Sequence, residues 1–159
     1  MKKLGLVVFT ALFIATGAIS ASGQRRLSVS GAWRVDASRS RFSAARGRYK
    51  DIFITFEQYD QSLVETLTVV GSRAQTKTVV RYSLDGKETV SGSGDEQVRT
   101  KAWWNGKTLT LQWTDDGGTF TQELSVSPDK QTLTVKAHDS SQEGNSVDLL
   151  IFSRQPRLF

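Results

Sequence analysis

The chain has 159 residues, a formal net charge of +5 and no cysteine. Without cysteine there is no disulfide framework, so a domain of this size must rest on its hydrophobic core. The charge is mild, whereas nucleic-acid binding requires a concentrated basic face, so we expect no nucleic-acid partner.

The first 23 residues have the layout of a secretory signal peptide. Two lysines precede an apolar run over residues 4–14, and small residues follow it. Cleavage after Ser20 and cleavage after Gly23 both fit, and we favour the second. An uncleaved membrane anchor is the alternative, since about 20 apolar residues span a bilayer. We expect an exported protein, periplasmic or secreted, with one domain at 24–159 and no stable membrane insertion after cleavage.

From residue 29 onward, short runs of alternating apolar and polar residues predict β-strands. The runs are rich in Val, Ile, Thr and aromatic residues, and no window keeps a helical period. Most connections are short, so strands that are neighbours in sequence are expected to pair antiparallel as a meander. The predicted strands are 29–35, 51–59, 62–70, 75–84, 87–91, 97–104, 107–114, 119–127, 131–138 and 146–153.

The Asn-Gly pair at 105–106 predicts a tight hairpin and fixes which side chains share a face. With these two residues as a type I′ loop, Ala102 opposes Leu109 and the facing pairs are apolar. Side-chain alternation then turns Trp104 toward the interior and Trp103 toward the outside.

The next two turns extend the same inner face. A loop at 115–118 places Trp113 opposite Phe120, and the Ser-Pro-Asp-Lys loop that follows places Leu124 opposite Leu133. One apolar face then runs across four strands, as expected when turn chemistry and alternation agree.

The final strand is apolar on both faces. We place Val147, Leu149 and Ile151 on its inner face, and Leu150 and Phe152 on its outer face. A meander with one solvated face removes its edges most simply by closing into a barrel. The sequence therefore predicts an all-β, antiparallel up-and-down meander closed into a barrel of 8–10 strands.

A short sequence motif in the first strand and an arginine after the last strand form a recognisable pattern. Gly31-Ala32-Trp33 stands in the first strand, and Arg154 follows the last one. The arrangement resembles the lipocalin and fatty-acid-binding (calycin) pattern, and the general texture resembles small exported bacterial lipocalin-like proteins. The resemblance implies a lipocalin-like β-barrel in which Trp33 and Arg154 close one end through a cation–π contact of about 0.5 to 2 kcal/mol. Ten strands fit the fatty-acid-binding count better than the eight of lipocalins.

Residues that carry catalysis are not evident. His138 is the only histidine, and it falls on the outer face without an orienting partner, so we expect neither a catalytic triad nor a metal site. The acidic turn at 115–118 lacks the ligand spacing of a calcium loop. We therefore predict a non-enzymatic protein without a cofactor.

Aromatic and polar residues meet on the predicted inner face. Aromatic walls with a few converging polar groups are typical of a small-molecule site, although such side chains can also fill a barrel. We predict that the lumen holds a small apolar or amphipathic ligand, and a packed core stays open as the alternative. The predicted ligand-binding residues are Tyr82, Thr100, Trp104, Trp113, Phe120 and Gln122.

The outer surface offers a second hypothesis. Arg99, Lys101 and Trp103 share an outward face, through which a filled barrel would act as an interaction or structural envelope protein with an unknown protein partner. The segment 36–50 also carries five basic residues. They fit either a rim that attracts acidic ligands or a solvated loop.

Overall fold

The computed structural model describes residues 28–43, 49–93, 97–140 and 146–156. The predicted signal peptide lies outside these ranges. No helix within them is long and apolar enough to cross a bilayer. The described strands are β1 (Gly31–Val35), β2 (Asp51–Gln58), β3 (Ser62–Val70), β4 (Gln75–Ser83), β5 (Thr89–Ser91), β6 (Val98–Asn105), β7 (Thr108–Asp115), β8 (Gly118–Val126), β9 (Thr132–Asp139) and β10 (Ser146–Arg154).

The ten strands form one antiparallel sheet in the order β4-β3-β2-β1-β10-β9-β8-β7-β6-β5. The first and last strands of the chain are therefore neighbours, with Trp33 opposite Arg154. The sheet curves until β4 contacts β6, which leaves one seam between the two sheet edges. The prediction of an all-β, up-and-down barrel is confirmed, and the barrel is nearly closed.

One end of the barrel is packed with large apolar side chains. We call it the closed end, and it lies near the β2–β3, β6–β7 and β8–β9 turns. Burying one such side chain contributes about 1.5 to 3 kcal/mol, so these contacts hold the fold without a disulfide. The residues that fill this end, each at most 1 % exposed, are Trp33, Phe56, Leu63, Leu109, Leu124 and Leu133.

Gly31 and Arg154 meet where β1 begins at the closed end. Gly31 has a φ of +141°, and a Cβ at this position would lie 2.5 Å from Arg154 Nη1. Arg154 donates hydrogen bonds to the carbonyl oxygens of Ser30 and Lys130. Its guanidinium carbon lies 4.3 Å from the ring centroid of Trp33. Only glycine gives the arginine this approach to the tryptophan.

The β6–β7 hairpin turns one position later than predicted. Asn105 pairs with Thr108, so the loop is Gly106-Lys107 and the predicted 105–106 loop is wrong. A type II′ turn requires positive φ at the first loop position alone, and Gly106 meets this requirement with a φ of +59°. Each residue of β6 is therefore paired with a residue of β7 two positions later than predicted. Because side chains alternate between the two faces with a period of two, every side chain keeps its predicted face.

The β8–β9 hairpin differs in the same way. Leu124 pairs with Val135 instead of the predicted Leu133. The turn closes through a 2.9 Å hydrogen bond from the Ser127 N–H to the Thr132 carbonyl, which moves the four-residue loop one position along the chain. The predicted faces again survive because the partners shift by two.

The faces of β10 are the reverse of the predicted ones. Leu150 and Phe152 are buried inside the barrel, whereas Val147 is 50 % exposed. Backbone N–H groups of the segment after β1 donate to the carbonyl oxygens of Leu149 and Ile151, both at 2.7 Å. The segment therefore continues the pairing of β10 beyond the end of β1, and the outer side chains of Leu149 and Ile151 are half-buried.

Candidate ligand-binding site

A cavity of about 290 Å³ lies inside the barrel, toward the end opposite the packed core. Its volume lies just below the range of about 300 to 1,000 Å³ that is usual for small-molecule sites. Inward positions of seven strands supply the wall, and most of them are apolar. The wall residues include Ile52, Ile54, Leu67, Trp113, Phe120 and Phe152.

A carboxyl group interrupts this apolar wall. Glu65 is only 2 % exposed. Its two oxygens accept hydrogen bonds from the Tyr82 hydroxyl and from Gln122 Nε2, both at 3.0 Å. Among the described residues that line the cavity there is no lysine, arginine or histidine. The carboxyl group is therefore held by neutral donors alone.

Burial has the largest effect on the pKa of the Glu65 carboxyl group. Loss of water raises the pKa of Glu65, and the hydrogen bonds from Gln122 and Tyr82 oppose the rise. Burial also raises the pKa of Tyr82, and the nearby carboxyl raises it further. Tyr82 consequently stays a hydroxyl, which donates to Glu65.

Strand alternation explains how these groups meet. Glu65 stands in β3 between Leu63 and Leu67, and all three side chains point inward. Tyr82 opposes Leu63 in β4, and Gln122 comes from the opposite wall in β8. The sequence analysis missed Glu65, although a charged residue in phase with two inward leucines is a signal for a buried carboxyl group.

Three of the six residues predicted to bind ligand line this cavity, namely Trp113, Phe120 and Gln122. Trp113 opposes Phe120 as predicted, and their ring centroids are 5.7 Å apart. Tyr82 does not line the cavity but is buried opposite Leu63, where its hydroxyl donates to Glu65.

The other two residues lie elsewhere. Trp104 opposes Leu109 near the closed end and packs against the core, and it is absent from the cavity wall. Its buried Nε1 has no hydrogen-bond partner among the described residues. Thr100 lies at the seam, where its hydroxyl donates to the Arg81 carbonyl oxygen at 2.9 Å. It thereby links β6 to β4, which no backbone ladder joins.

Thr100→Val is expected to loosen the seam while conserving side-chain volume. Losing this hydrogen bond should lower the free energy of unfolding by about 0.5 to 1.5 kcal/mol. Hydrogen exchange should accelerate at the amides of β4 and β5, since these strands form the sheet edges. Thr114→Val is the control, because it removes a hydroxyl bonded to Thr119 within a fully paired hairpin. Equal exchange in both variants would contradict the role of Thr100.

The predicted partner face lies on the outer surface. Arg99 and Lys101 are exposed, and Trp103 is half-buried. The Lys101 ammonium lies 5.4 Å from the Trp103 ring centroid, so the indole is partly covered by its own chain. Within the described ranges no group of three His, Cys, Asp or Glu is placed to hold a metal.

The predicted basic segment is described only in part. The side chains of Arg39, Arg41 and Lys50 are exposed, and Arg46 and Arg48 lie outside the described residues.

Solved structures share this architecture. An SAHS protein from Ramazzottius varieornatus is 12 % identical with a TM-score of 0.61, and the match covers 80 % of this chain and 95 % of that one. The fatty-acid-binding protein of Manduca sexta is 17 % identical with a TM-score of 0.52, covering 79 % and 99 %. Zebrafish ileal bile acid-binding protein complexed with cholic acid is 14 % identical with a TM-score of 0.57, covering 79 % and 98 %.

The chain has a calycin-like β-barrel fold. Its ten antiparallel strands agree with the upper end of the predicted range of 8–10 strands. No protein-family model and no curated protein sequence matches the chain. At 12 to 17 % identity the likeness to solved structures shows the calycin-like fold alone.

Proposed function

We propose that this protein is an exported, non-enzymatic binding protein that holds a small apolar or amphipathic molecule in its barrel. The observation that carries the proposal is the interior cavity of about 290 Å³, with an apolar wall and a few converging polar groups. Its structural neighbours include a fatty-acid-binding protein and a bile acid-binding protein. The lysines and apolar run of residues 1–23 support export, with the mature domain at 24–159.

Titration with 1-decanol, a small neutral amphipath, is expected to change tryptophan fluorescence and raise the melting temperature. Trp113 lines the cavity, so its emission should report a ligand, and binding to the folded state alone stabilises that state. Trp113→Ala should weaken binding about tenfold, which corresponds to about 1.4 kcal/mol of lost contact. The ligand-dependent rise in melting temperature measures this change, because the variant lacks the reporting indole. Mass spectrometry should also find small molecules that co-purify with the unaltered protein.

The control is Trp103→Ala, because Trp103 lies on the outer surface and lines no part of the cavity. This variant should bind the alcohol as the unaltered protein does. If a panel of apolar molecules left both fluorescence and melting temperature unchanged, the barrel interior would be a core and the proposed function would be wrong.

A further inference from the structure

We propose that the cavity selects ligands that carry a hydrogen-bond donor, such as an alcohol, an amide N–H or an amine, and disfavours carboxylates. The inference rests on the proposed function and specifies the ligand class of the same site. Its basis is the position of Glu65 in the cavity wall, together with the residues that surround it.

The hydrogen bonds of Glu65 leave room for a ligand donor. A carboxylate has about four acceptor positions on its two oxygens. Tyr82 and Gln122 occupy one on each oxygen, and the described residues provide no further donor to the group. Because Glu65 lines the cavity, a ligand hydroxyl or N–H placed beside it completes the hydrogen bonding.

The charge of the wall disfavours an anionic head group. The titratable residues among the described lining are Glu65, Asp139 and Tyr49, and none of them carries a positive charge. A ligand carboxylate beside Glu65 would have to share a proton with it or face a like charge away from water, and like charges in one buried site are costly.

The preference for donors holds in both ionisation states of Glu65. Burial raises the pKa of this carboxyl, so its protonated form is favoured by the site. That form keeps an acceptor lone pair on its carbonyl oxygen while Tyr82 and Gln122 still donate to the group. A ligand donor therefore finds an acceptor whether Glu65 is charged or neutral.

The inference separates this chain from two of its structural neighbours. By name these bind fatty acid and bile acid, which are carboxylic acids. The barrel is shared, but the described wall of this cavity presents Glu65 and contains no lysine, arginine or histidine. The class of ligand that this barrel binds would then be determined by one inward side chain, that of Glu65 in β3.

Four ligands with the same ten-carbon chain test the inference, namely 1-decanol, decylamine, methyl decanoate and decanoate. Tryptophan fluorescence titrations at neutral pH give each affinity. We expect the alcohol and the amine to bind at least about tenfold more tightly than decanoate, a difference of about 1.4 kcal/mol. Methyl decanoate lacks both a charge and a hydrogen-bond donor, so its affinity should be lower than that of the alcohol and the amine and higher than that of decanoate.

Glu65→Gln should narrow the selectivity. The amide keeps the shape and removes the charge, so decanoate should bind more tightly and decylamine less tightly. Glu123→Gln is the matched control, because Glu123 is exposed on the outer face of β8. It changes the net charge by the same amount and should leave all four affinities unchanged.

The outcomes separate the two levels of the proposal. If decanoate bound as tightly as 1-decanol, or if Glu65→Gln left the affinity ratio between decylamine and decanoate unchanged, the ligand class would be wrong while the barrel remained a binding protein. If none of the four ligands bound, the proposed function itself would fail. The ranking in the unaltered protein tests the inference even if the variant does not fold.

Discussion

Trp33→Ala is expected to lower the free energy of unfolding by about 3 to 5 kcal/mol, the usual cost of truncating a large buried aromatic residue. The side chain is fully buried. Its Nε1 donates to the Val29 carbonyl oxygen at 3.0 Å, and the Arg154 guanidinium stacks on its ring. Truncation would open a void at the closed end and remove the donor of a buried carbonyl. Urea denaturation followed by circular dichroism measures the loss.

Two further variants show how much of the stability lost in Trp33→Ala comes from the hydrogen bond and how much from burial of the ring at the closed end. Trp33→Phe keeps an aromatic ring but loses the Nε1 hydrogen bond, so it should cost about 1 to 2 kcal/mol. Trp103→Ala removes a half-buried ring from the outer face and should cost about 1 kcal/mol or less. If Trp33→Ala cost no more than Trp103→Ala, the closed end would not be the part of the core that holds the barrel together.

Glu65→Gln is expected to stabilise the protein at neutral and alkaline pH. Burial raises the folded-state pKa of Glu65, so the folded protein binds this proton more tightly than the unfolded chain does. The associated stability is present below the ordinary carboxyl pKa and is lost as pH rises through the folded-state value. Each unit of difference between the two pKa values corresponds to about 1.4 kcal/mol.

Melting temperatures of both proteins measured from about pH 4 to about pH 9 test this expectation, because the difference between them isolates the contribution of Glu65 from those of the other titrating groups. The unaltered protein should lose stability with rising pH relative to Glu65→Gln. The amide oxygen of this variant can still accept from the Tyr82 hydroxyl, and its N–H can donate to the Gln122 side-chain oxygen once the Gln122 amide turns over. Glu123→Gln should follow the unaltered protein. A constant offset between Glu65→Gln and the unaltered protein at every pH would show that Glu65 does not change its protonation across this range.

The strands and most of their faces could be predicted because alternation reports burial directly. The turns could not be placed to the residue. A shift of two partners in the β6–β7 hairpin leaves Trp103 outside and Trp104 inside, so the burial pattern is the same for both registers. Which of the two registers forms depends on the backbone conformation of Gly106. The amino-acid sequence of the turn alone does not determine that conformation.

The errors in β10 and in the site have related physical causes. Both faces of β10 are apolar, so alternation cannot tell Leu150 from Leu149. Alternation of apolar and polar residues also predicts on which face of the sheet a side chain lies, but it does not predict how far along the barrel axis that side chain lies. It therefore grouped Trp104 with Trp113, although Trp104 packs at the closed end and Trp113 lines the cavity. Depth depends on the stagger between strands, which only the assembled barrel shows.

The seam is the part of the barrel wall that backbone hydrogen bonds do not hold. Backbone ladders hold the other strands at a spacing of about 4.8 Å, whereas the hydrogen bond that the described residues form across the seam is that of Thr100 with Arg81. Breaking this bond costs about 0.5 to 1.5 kcal/mol, and separating β4 from β6 adds to that cost. If the barrel binds a ligand as proposed, we expect a molecule larger than the resting cavity to be accommodated by widening at the seam.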